Sequence, residues 1–594
     1  MKFLQLLYTS AALWGGINAM IPSPEMLPSK PDLDGFKSFK PALTIEKPVK
    51  PSIVQARLKN GDNILGYEKR GVESYRGIPF VEPPVGDMRF KHSVPFKGSL
   101  DGFEAFDFGP ACYSINPYKS FDYLAKAVPL VSWKTPSLLD AIKIADQAED
   151  CLTINVYRPA GIPKHVKLPV MVWTYGGAFQ IGSSNLYPGD KFIRDSVTLG
   201  EPVVFVTFNY RLGPWGFLGG EAIGAENSTN PAIYDIINAF NWVKENIGRF
   251  NGDKNRITAF GESSGAMLLS HIMTSTAFNE EDPLFHAAIL QSGGILPLSD
   301  AITSNSSNDL FLTFSEAAGC GGLSDQTEAL SCLRTKDEKV LYQAQTYDQN
   351  LLNFFDLPTT FTVWGPKPDG ILWEGNSFKN VRRDGLPNIP IITGNQEDEG
   401  TLISLFFLTF NSTATDEKLL RIFPNGGERL NNFLKMYPDI PSEGAPFRTG
   451  DANELWPNFK RLSALLTDII FTIPRRVMLR YSEKNRSAPT YTFWADNLHN
   501  VLPYLGTTHA SCLIPQFYLD NTFPSRAYRD YFISFANHYN PNTNNGGLPY
   551  WPKYTNENLE MLHIMADSGS TRKDDFRRDR TDYALGDLSI LYSY

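Results

Sequence analysis

The chain has 594 residues, of which 42% are hydrophobic, so it is long and apolar enough to bury a large core. Its formal net charge is −9 and it contains no basic block, which argues against a nucleic-acid partner. Beyond the N-terminus, no apolar stretch is long enough to span a membrane, so we expect no transmembrane anchor.

The N-terminus has the pattern of a secretory signal. Residues 1–19 combine an early lysine, Lys2, with a short apolar core and end at a small residue, Ala19, where cleavage is expected. Residues 20–50 contain six prolines and little apolar periodicity, which is typical of an extended leader or linker. We therefore predict an extracellular protein whose folded domain begins near residue 51.

Export changes the interpretation of the cysteines and asparagines, because disulfides and glycans are added in the secretory pathway. Among the five cysteines, Cys112 and Cys151 could close a long loop and Cys320 and Cys332 a short one, which would leave Cys512 unpaired. Spacing alone does not fix this pairing. Four sequons are candidate glycosylation sites: Asn227, Asn305, Asn411 and Asn485.

From residue 51 onward the pattern predicts one large α/β domain. Gly61-Asp62 joins two alternating segments and predicts a hairpin. Apolar residues recur at helical spacing over 232–248. No repeat or change of composition divides residues 51–594. Two nearly continuous apolar runs, Val170–Trp173 and Val203–Phe208, are typical of central strands covered on both faces. Further strands are predicted at Ala287–Leu290, Pro390–Ile392 and Tyr491–Trp494.

The segment around Ser263 predicts a nucleophile. The β-prone run Ile257–Phe260 enters Gly261-Glu262-Ser263-Ser264-Gly265 and leaves into good helix formers. Gly-x-Ser-x-Gly between a strand and a helix is the context of a nucleophile elbow, a strained turn whose flanking positions must stay small. The N-terminus of the following helix would face an oxyanion formed on Ser263.

A serine hydroxyl is a weak nucleophile at neutral pH, so Ser263 needs a general base. Of the eight histidines, His509 is favoured, since it lies in a Gly-containing loop C-terminal to the serine, as the order of an α/β-hydrolase triad demands. His271, on the helix after the elbow, would point away. Spacing alone does not exclude the other histidines.

The base needs a carboxylate to orient it, and the oxyanion needs hydrogen-bond donors. The loop 394–401 follows a predicted strand and offers three acids, among which the residues themselves give no choice: Glu397, Asp398 and Glu399. The Gly-rich turn Tyr175–Phe179 directly follows the strand Val170–Trp173. Small residues there let backbone N–H groups approach a substrate oxygen, which favours an oxyanion hole.

Three segments together resemble the type-B carboxylesterase/lipase family: Glu149–Tyr157, Phe260–Gly265 and Gly506–His509. Within this family the chain is most similar to the secreted fungal lipases of the Geotrichum candidum and Candida rugosa type. Further stretches resemble those lipases, and the resemblance covers roughly residues 51 to 580: Gly394–Thr401, Ser442–Gly450 and Tyr531–His538.

The resemblance implies an α/β-hydrolase fold, with a large, mostly parallel mixed sheet flanked by helices in a single domain. It implies the catalytic triad Ser263, Glu399 and His509, and no cofactor or metal. Its implied oxyanion donors are backbone N–H groups of three residues: Gly177, Ala178 and Ser264. Its implied disulfides are Cys112–Cys151 and Cys320–Cys332.

The resemblance also implies a lid at residues 113–150 with an ion pair, Arg89 with Glu149, at its base. Within the predicted lid, residues 121–131 carry Phe121, Leu124, Val128 and Val131 near one helical face.

Three positions depart from the family pattern. Ala178 stands where many members have glycine, which restricts the backbone but keeps the N–H. Ser264 replaces the commoner alanine after the nucleophile. Cys512 stands where these lipases usually carry an acid, which leaves the support of the histidine loop in question.

The predicted function is that of a secreted serine lipase acting on long-chain acylglycerols at an oil–water interface. A carboxylesterase or a sterol esterase would have the same fold and triad. A catalytically inactive adhesion protein of this fold is the remaining alternative, but such proteins lose the serine and carry a membrane span. The oligomeric state is not predicted.

Overall fold

The computed structural model describes residues 51–591 apart from 116–145, 297–300, 324, 348–363, 376, 408–410, 485, 500 and 502–503. The predicted signal peptide and leader lie outside the described residues. So does most of the predicted lid, including residues 121–131.

The described part of the chain is organised around a twelve-stranded mixed sheet. Its strands are β1 Ser52–Arg57, β2 Asn63–Lys69, β3 Val72–Pro79, β4 Thr153–Pro159, β5 Leu168–Thr174, β6 Val204–Phe208, β7 Gly252–Glu262, β8 Ala287–Gln291, β9 Ile391–Gln396, β10 Thr490–Ala495, β11 Glu560–Ile564 and β12 Gly569–Lys573. Their spatial order is β1-β2-β3-β4-β6-β5-β7-β8-β9-β10-β11-β12.

The centre of the sheet is parallel and its edges are antiparallel. Strands β6, β5, β7, β8, β9, β10 and β11 pair in parallel. The hairpin predicted at Gly61-Asp62 joins the antiparallel pair β1 and β2. Every residue of β5, β6, β8 and β9 is buried. Burial on both faces explains the nearly continuous apolar sequences of β5 and β6. The predicted fold class, a mostly parallel α/β sheet, is therefore confirmed.

Helices cover the sheet and complete the core. They are α1 Asp190–Leu199, α2 Gly213–Phe217, α3 Glu221–Ala225, α4 Pro231–Asn246, α5 Ser264–Met273, α6 Asn305–Ala317, α7 Gln326–Thr335, α8 Glu338–Tyr347, α9 Ser377–Asp384, α10 Gly400–Phe407, α11 Ser412–Ile422, α12 Gly427–Lys435, α13 Phe459–Leu466, α14 Ile473–Arg480, α15 Leu513–Phe517, α16 Phe523–His538 and α17 Arg578–Gly586. The helix predicted at 232–248 corresponds to α4 and the 3-10 turn Ile247–Phe250 that follows it. A π-helical segment, Thr467–Thr472, joins α13 to α14.

The topology positions a site at one edge of the sheet. Neighbouring parallel strands end at the same edge, and ligands of open α/β sheets bind beyond their carboxyl ends. The Gly-rich turn follows β5, Ser263 follows β7, and the acidic loop follows β9. No helix among the described residues is long and apolar enough to cross a membrane.

Both disulfides implied by the resemblance are formed. Cys112 is bonded to Cys151, with 39 residues of separation, and Cys320 to Cys332, with a separation of 12. Cys512 remains a free thiol.

Candidate active site

Ser263 lies on a sharp turn between β7 and α5. Its backbone angles, φ 55° and ψ −132°, lie in a region that residues with a side chain seldom adopt. Such strain costs on the order of 1–3 kcal/mol and persists only where the surrounding structure enforces it. The strand, the turn and the helix occur in the order that the sequence predicts, so the elbow interpretation has the structural context it requires.

The two glycines of the motif are explained by close backbone contacts. A Cβ atom on Gly265 would lie 2.1 Å from the carbonyl oxygen of Thr174, and one on Gly261 would lie 2.9 Å from the backbone nitrogen of Ala266. Both distances are shorter than a carbon atom tolerates. The turn at Ser263 can therefore pack against β5 and α5 only if both positions lack a side chain.

Ser263, His509 and Glu399 form a chain of hydrogen bonds. Ser263 Oγ lies 2.8 Å from His509 Nε2, and His509 Nδ1 lies 2.6 Å from Glu399 Oε2. A carboxylate only accepts, so Nδ1–H donates to Glu399, which leaves Nε2 to accept the Ser263 hydroxyl proton. The exposed fractions of Ser263 and His509 are 7% and 8%, and that of Glu399 is 0%. The serine and the base are thus at the rim of the site and the acid is behind them.

The other seven histidines have different surroundings, and none hydrogen-bonds to Ser263 in the part of the chain that the structure describes. His271 is buried on α5 beside Trp373, and burial lowers its pKa to about 3. His165 is exposed on a loop. The remaining five contact partners elsewhere: His92 with Tyr234, His286 with Ile257, His499 with Glu397, His538 with Glu201 and His563 with Asp496.

The three acids of the loop after β9 have three separate partners. Glu399 accepts from His509, and its other oxygen, Oε1, accepts from the backbone N–H of Gln396 at 2.8 Å. The Glu397 carboxylate binds the Arg448 guanidinium through two hydrogen bonds of 2.8 and 2.6 Å. Both Asp398 oxygens accept backbone N–H groups. Only Glu399 is in contact with the base, which is the arrangement that the resemblance implies.

The Gly-rich turn after β5 lies directly beside the elbow. A Cβ on Gly176 would lie 2.6 Å from Ser263 Cβ. The N–H groups of Gly177 and Ala178 donate to no acceptor within the described residues, so they are free to bind a substrate oxygen. Ala178 adopts φ 52°, a left-handed conformation that glycine would adopt more easily, which shows how the chain accommodates this departure from the family pattern.

The Ser264 side chain has a contact that sequence reasoning missed. Its Oγ accepts the Phe179 N–H at 3.2 Å. An alanine at this position would lack that link. Ser264 therefore joins the Gly-rich turn to the elbow. The signal in the sequence is the presence of serine where the family more often has alanine.

Glu262 is a second carboxylate beside the base, and sequence reasoning missed it too. Its Oε1 lies 3.6 Å from His509 Nε2. Burial raises the pKa of Glu262 to about 7. Burial alone would lower the pKa of His509, but the charges of Glu262 and Glu399 outweigh it and raise that pKa above its usual value. Two acids thus stabilise the protonated imidazole.

Cys512 lies three residues after His509, immediately before α15. Its side chain is 0% exposed, and burial together with the nearby Glu262 and Glu399 carboxylates raises the pKa of its thiol well above the usual value. The fifth cysteine is thus a buried free thiol. A neutral, buried thiol neither ionises readily nor meets a reagent.

Cys512 should therefore be inert in the folded protein. We expect an aromatic disulfide reagent to release no colour from the native chain and to label one thiol per chain after unfolding in guanidinium chloride, because the other four cysteines are paired. Rapid labelling of the native protein, or a disulfide-linked dimer on a non-reducing gel, would contradict this expectation.

The base of the predicted lid is held by hydrogen bonds where the structure describes it. Arg89 Nη2 lies 2.7 Å from Glu149 Oε2, and both side chains are buried. Trp215 Nε1 donates to Glu149 at 2.7 Å. Arg89 Nη1 also donates to the carbonyl of Leu333, beyond the second disulfide. The ion pair that the resemblance implies is present, and it ties the loop base to α2 and α7.

The predicted glycosylation sites are exposed where they are described. Asn227, Asn305 and Asn411 are at the surface, and Asn485 lies outside the described residues. Use of these sites stays a prediction.

The arrangement supports acyl transfer at a carbonyl carbon. A hydroxyl nucleophile contacts a base, the base contacts a carboxylate, and free N–H groups lie in the adjacent Gly-rich turn. Among the described residues, no three His, Cys, Asp or Glu side chains are grouped to hold a metal ion.

Comparisons with known proteins agree with this chemistry. The family model described as "Carboxylesterase family" matches residues 52–582. The chain is 44% identical to Lipase 1 of Geotrichum candidum over 545 residues, covering 90% of this chain and 95% of that protein. It is 32% identical to a secreted triacylglycerol lipase of Gibberella zeae over 552 residues, covering 89% of each chain. The crystal structure of Aspergillus niger EstA superposes with a TM-score of 0.74 at 22% identity, covering 91% of this chain and 99% of that one, which shows a shared fold.

Proposed function

The chain belongs to the carboxylesterase family, and we propose that it is a secreted serine lipase that hydrolyses the ester bonds of long-chain acylglycerols. The observation that carries the proposal is the hydrogen-bonded chain from Ser263 through His509 to Glu399, at the edge of the sheet and next to free N–H groups.

In the first half of the reaction, Ser263 Oγ attacks the ester carbonyl carbon while His509 Nε2 takes the hydroxyl proton. The carbonyl oxygen becomes an oxyanion, which accepts hydrogen bonds from the N–H groups of Gly177, Ala178 and Ser264. Glu399 stabilises the imidazolium. His509 then passes its proton to the leaving alcohol oxygen, and the acyl group remains on Ser263.

In the second half, water replaces the alcohol. His509 accepts a proton from the water as its oxygen attacks the acyl carbon, and a second oxyanion forms at the same donors. Return of the proton to Ser263 Oγ releases the fatty acid. Over the whole cycle one water is consumed, the alcohol and the fatty acid are released, and Ser263 and His509 return to their starting protonation states without a cofactor.

The lipid substrate and the export are supported by separate observations. The two relatives compared above, which the chain matches over about nine-tenths of its length, are named lipases, and one of them is named a secreted triacylglycerol lipase. The N-terminal 19 residues carry the pattern of a secretory signal.

Initial rates on two substrates test the proposal. We expect the protein to hydrolyse an emulsified long-chain triacylglycerol at least as fast as a short-chain soluble ester at equal ester concentration. Sustained turnover of the short ester with none of the triacylglycerol would indicate a carboxylesterase. Turnover of cholesteryl oleate above the triacylglycerol would indicate a sterol esterase.

The predicted lid gives a sharper prediction, which rests on the sequence pattern of residues 121–131 and on the anchored loop base. Burying Phe121, Leu124, Val128 and Val131 in lipid would contribute about 1.5–3 kcal/mol each, enough to favour a state that uncovers Ser263 at an oil surface. Activity on a partly soluble triacylglycerol should therefore rise sharply once the substrate exceeds its solubility.

A paired substitution isolates the apolar face. Leu124→Asp with Val128→Asp should flatten the rise while sparing hydrolysis of a short soluble ester. Lys126→Gln, on the polar side of the same segment, should leave the rise in place. The lid proposal would be wrong if the wild-type rate showed no break at the solubility limit and depended only on the concentration of dissolved substrate.

The pH dependence of kcat/KM should report the pKa of His509, which the two neighbouring carboxylates raise. His509 acts as a base only when neutral, so activity falls as the pH drops through its raised pKa. Glu262→Gln removes one of the charges that raise this pKa, so the acid limb should move to lower pH. Glu201→Gln, which removes a carboxylate paired with the remote His538, should leave the limb in place. An unmoved limb in Glu262→Gln would show that its charge does not reach the base.

A further inference from the structure

Asp398, the residue before Glu399, is held between two other loops. Its side chain is 0% exposed. Its Oδ1 accepts the backbone N–H of Phe447 at 2.8 Å, and its Oδ2 accepts that of Thr507 at 2.9 Å. Thr507 is two residues before His509. One carboxylate therefore connects the loop of the acid, the loop of the base and a third segment that packs on both.

The backbone of Asp398 makes a second set of contacts with the loop of the base. Its N–H donates to the Thr507 carbonyl at 3.0 Å, and Asp398 and Thr508 form a β-bridge. Its own carbonyl accepts from Thr401 Oγ1 at 2.8 Å, and that hydroxyl also lies 2.8 Å from Thr508 Oγ1. Contacts from Asp398 and Thr401, on either side of Glu399 in the sequence, thus join its loop to the two residues that precede His509.

The loop of the base is shaped to receive this carboxylate. Gly506 adopts φ 60°, and a Cβ there would lie 2.2 Å from Asp398 Oδ2. A side chain at residue 506 would displace the carboxylate from the Thr507 N–H. The close approach is therefore built into both loops.

We propose that Asp398 is a positioning residue for the reaction: it holds the loop of Glu399 against the loop of His509, and so fixes the hydrogen bond between them. The inference rests on the proposed serine hydrolase function. It assigns Asp398 no contact with substrate. The reason for such a clamp is that misplacing a catalytic group by about 1 Å can cost on the order of 100-fold in rate.

Asp398→Asn tests the clamp with little change in size. An amide has one accepting atom, so one of the two N–H donors would face an NH₂ group that cannot accept. We expect the loops to separate at that point and kcat to fall on the order of 100-fold, with KM for a soluble ester changed by less than about threefold.

A double-mutant cycle with Glu399→Gln separates positioning from a general loss of structure. If Asp398 acts through Glu399, Asp398→Asn should lower kcat by less than about threefold once Glu399 is already Gln, because the contact it positions has gone. Equal fold-losses in both backgrounds would overturn the inference, as would a wild-type kcat in Asp398→Asn alone.

Asp574→Asn is the matched control. Asp574 is also a buried aspartate, and its carboxylate accepts from Arg475 and Arg476 and not from the backbone of the three loops. It should lower the melting temperature while leaving kcat per folded molecule near wild type. A loss of kcat there as large as in Asp398→Asn would show that any buried aspartate has this effect, and would overturn the assignment.

A second variant keeps the inference testable if Asp398→Asn does not fold. Thr401→Val removes the hydroxyl that contacts Asp398, Leu505 and Thr508, and it leaves the Asp398 carboxyl group unchanged. It should reduce kcat in the wild-type background and not in Glu399→Gln, and additive losses would again overturn the inference. Ser263→Ala, assayed alongside, addresses the proposed function separately: if it stays active, the serine mechanism fails, whereas an inactive Ser263→Ala beside a fully active Asp398→Asn refutes only the clamp.

Discussion

Ser263→Ala should lower kcat on a soluble ester by on the order of 10⁴–10⁶-fold while the protein still folds and is secreted. The substitution removes the nucleophilic oxygen and leaves the backbone N–H groups and the His509–Glu399 pair in place. The residual rate would come from direct attack of water on the bound ester, with the oxyanion still stabilised by the backbone N–H groups. Rates per mole of purified protein, with melting temperature as a measure of folding, provide the test.

Ser270→Ala is the control for this variant. Ser270 is also a buried serine on α5, but its hydroxyl donates to the Met267 carbonyl within the helix. It should retain most of kcat. An active Ser263→Ala would show that another nucleophile carries the reaction.

Glu399→Gln should lower kcat by on the order of 10³–10⁴-fold. The cause is the pair of hydrogen bonds that Glu399 makes. Oε1 accepts from the Gln396 N–H at 2.8 Å, so in a glutamine the amide oxygen would stay there and the NH₂ group would face His509. The imidazole would then accept at Nδ1 and carry its proton on Nε2. A base in that tautomer cannot take the proton of Ser263.

Glu397→Gln, two residues away in the same buried loop, is the matched comparison. Its carboxylate binds Arg448 and does not contact the base. The substitution should therefore lower the melting temperature and leave most of kcat. If Glu397→Gln were far more damaging to kcat than Glu399→Gln, the assignment of the acid to Glu399 would be wrong.

The parts of the site that could be predicted from residue patterns are local in the sequence. The elbow occupies five consecutive residues, and its glycines are required by contacts with β5 and α5. The base and the acid were a different problem. Ser263 and His509 are 246 residues apart, and Glu399 and His509 are 110 apart, so no spacing rule reaches from one to the other. The family resemblance named both, and the structure brings them into contact. Their catalytic roles stay a prediction until the substitutions are measured.

The residues that sequence reasoning missed act through contacts that no local pattern encodes. In the sequence, Glu262 is simply the last residue of a strand. His509 lies beside it only because a loop distant in the sequence folds against that strand end. Asp398 is one of three adjacent acids, and its role depends on the backbone N–H groups of two other loops. The sheet was easier to predict, since fully buried strands leave a continuous apolar signal.

The long separation along the chain has a consequence for biosynthesis. At about 5–20 residues per second, a ribosome needs roughly 12–50 s to add the 246 residues between Ser263 and His509. During that interval the nascent polypeptide has its nucleophile but not its base. Under the proposed export and mechanism, it therefore cannot attack the lipid esters of a membrane beside which it is made. On the proposed mechanism, hydrolysis begins only after His509 has been translated and its loop has folded beside Ser263.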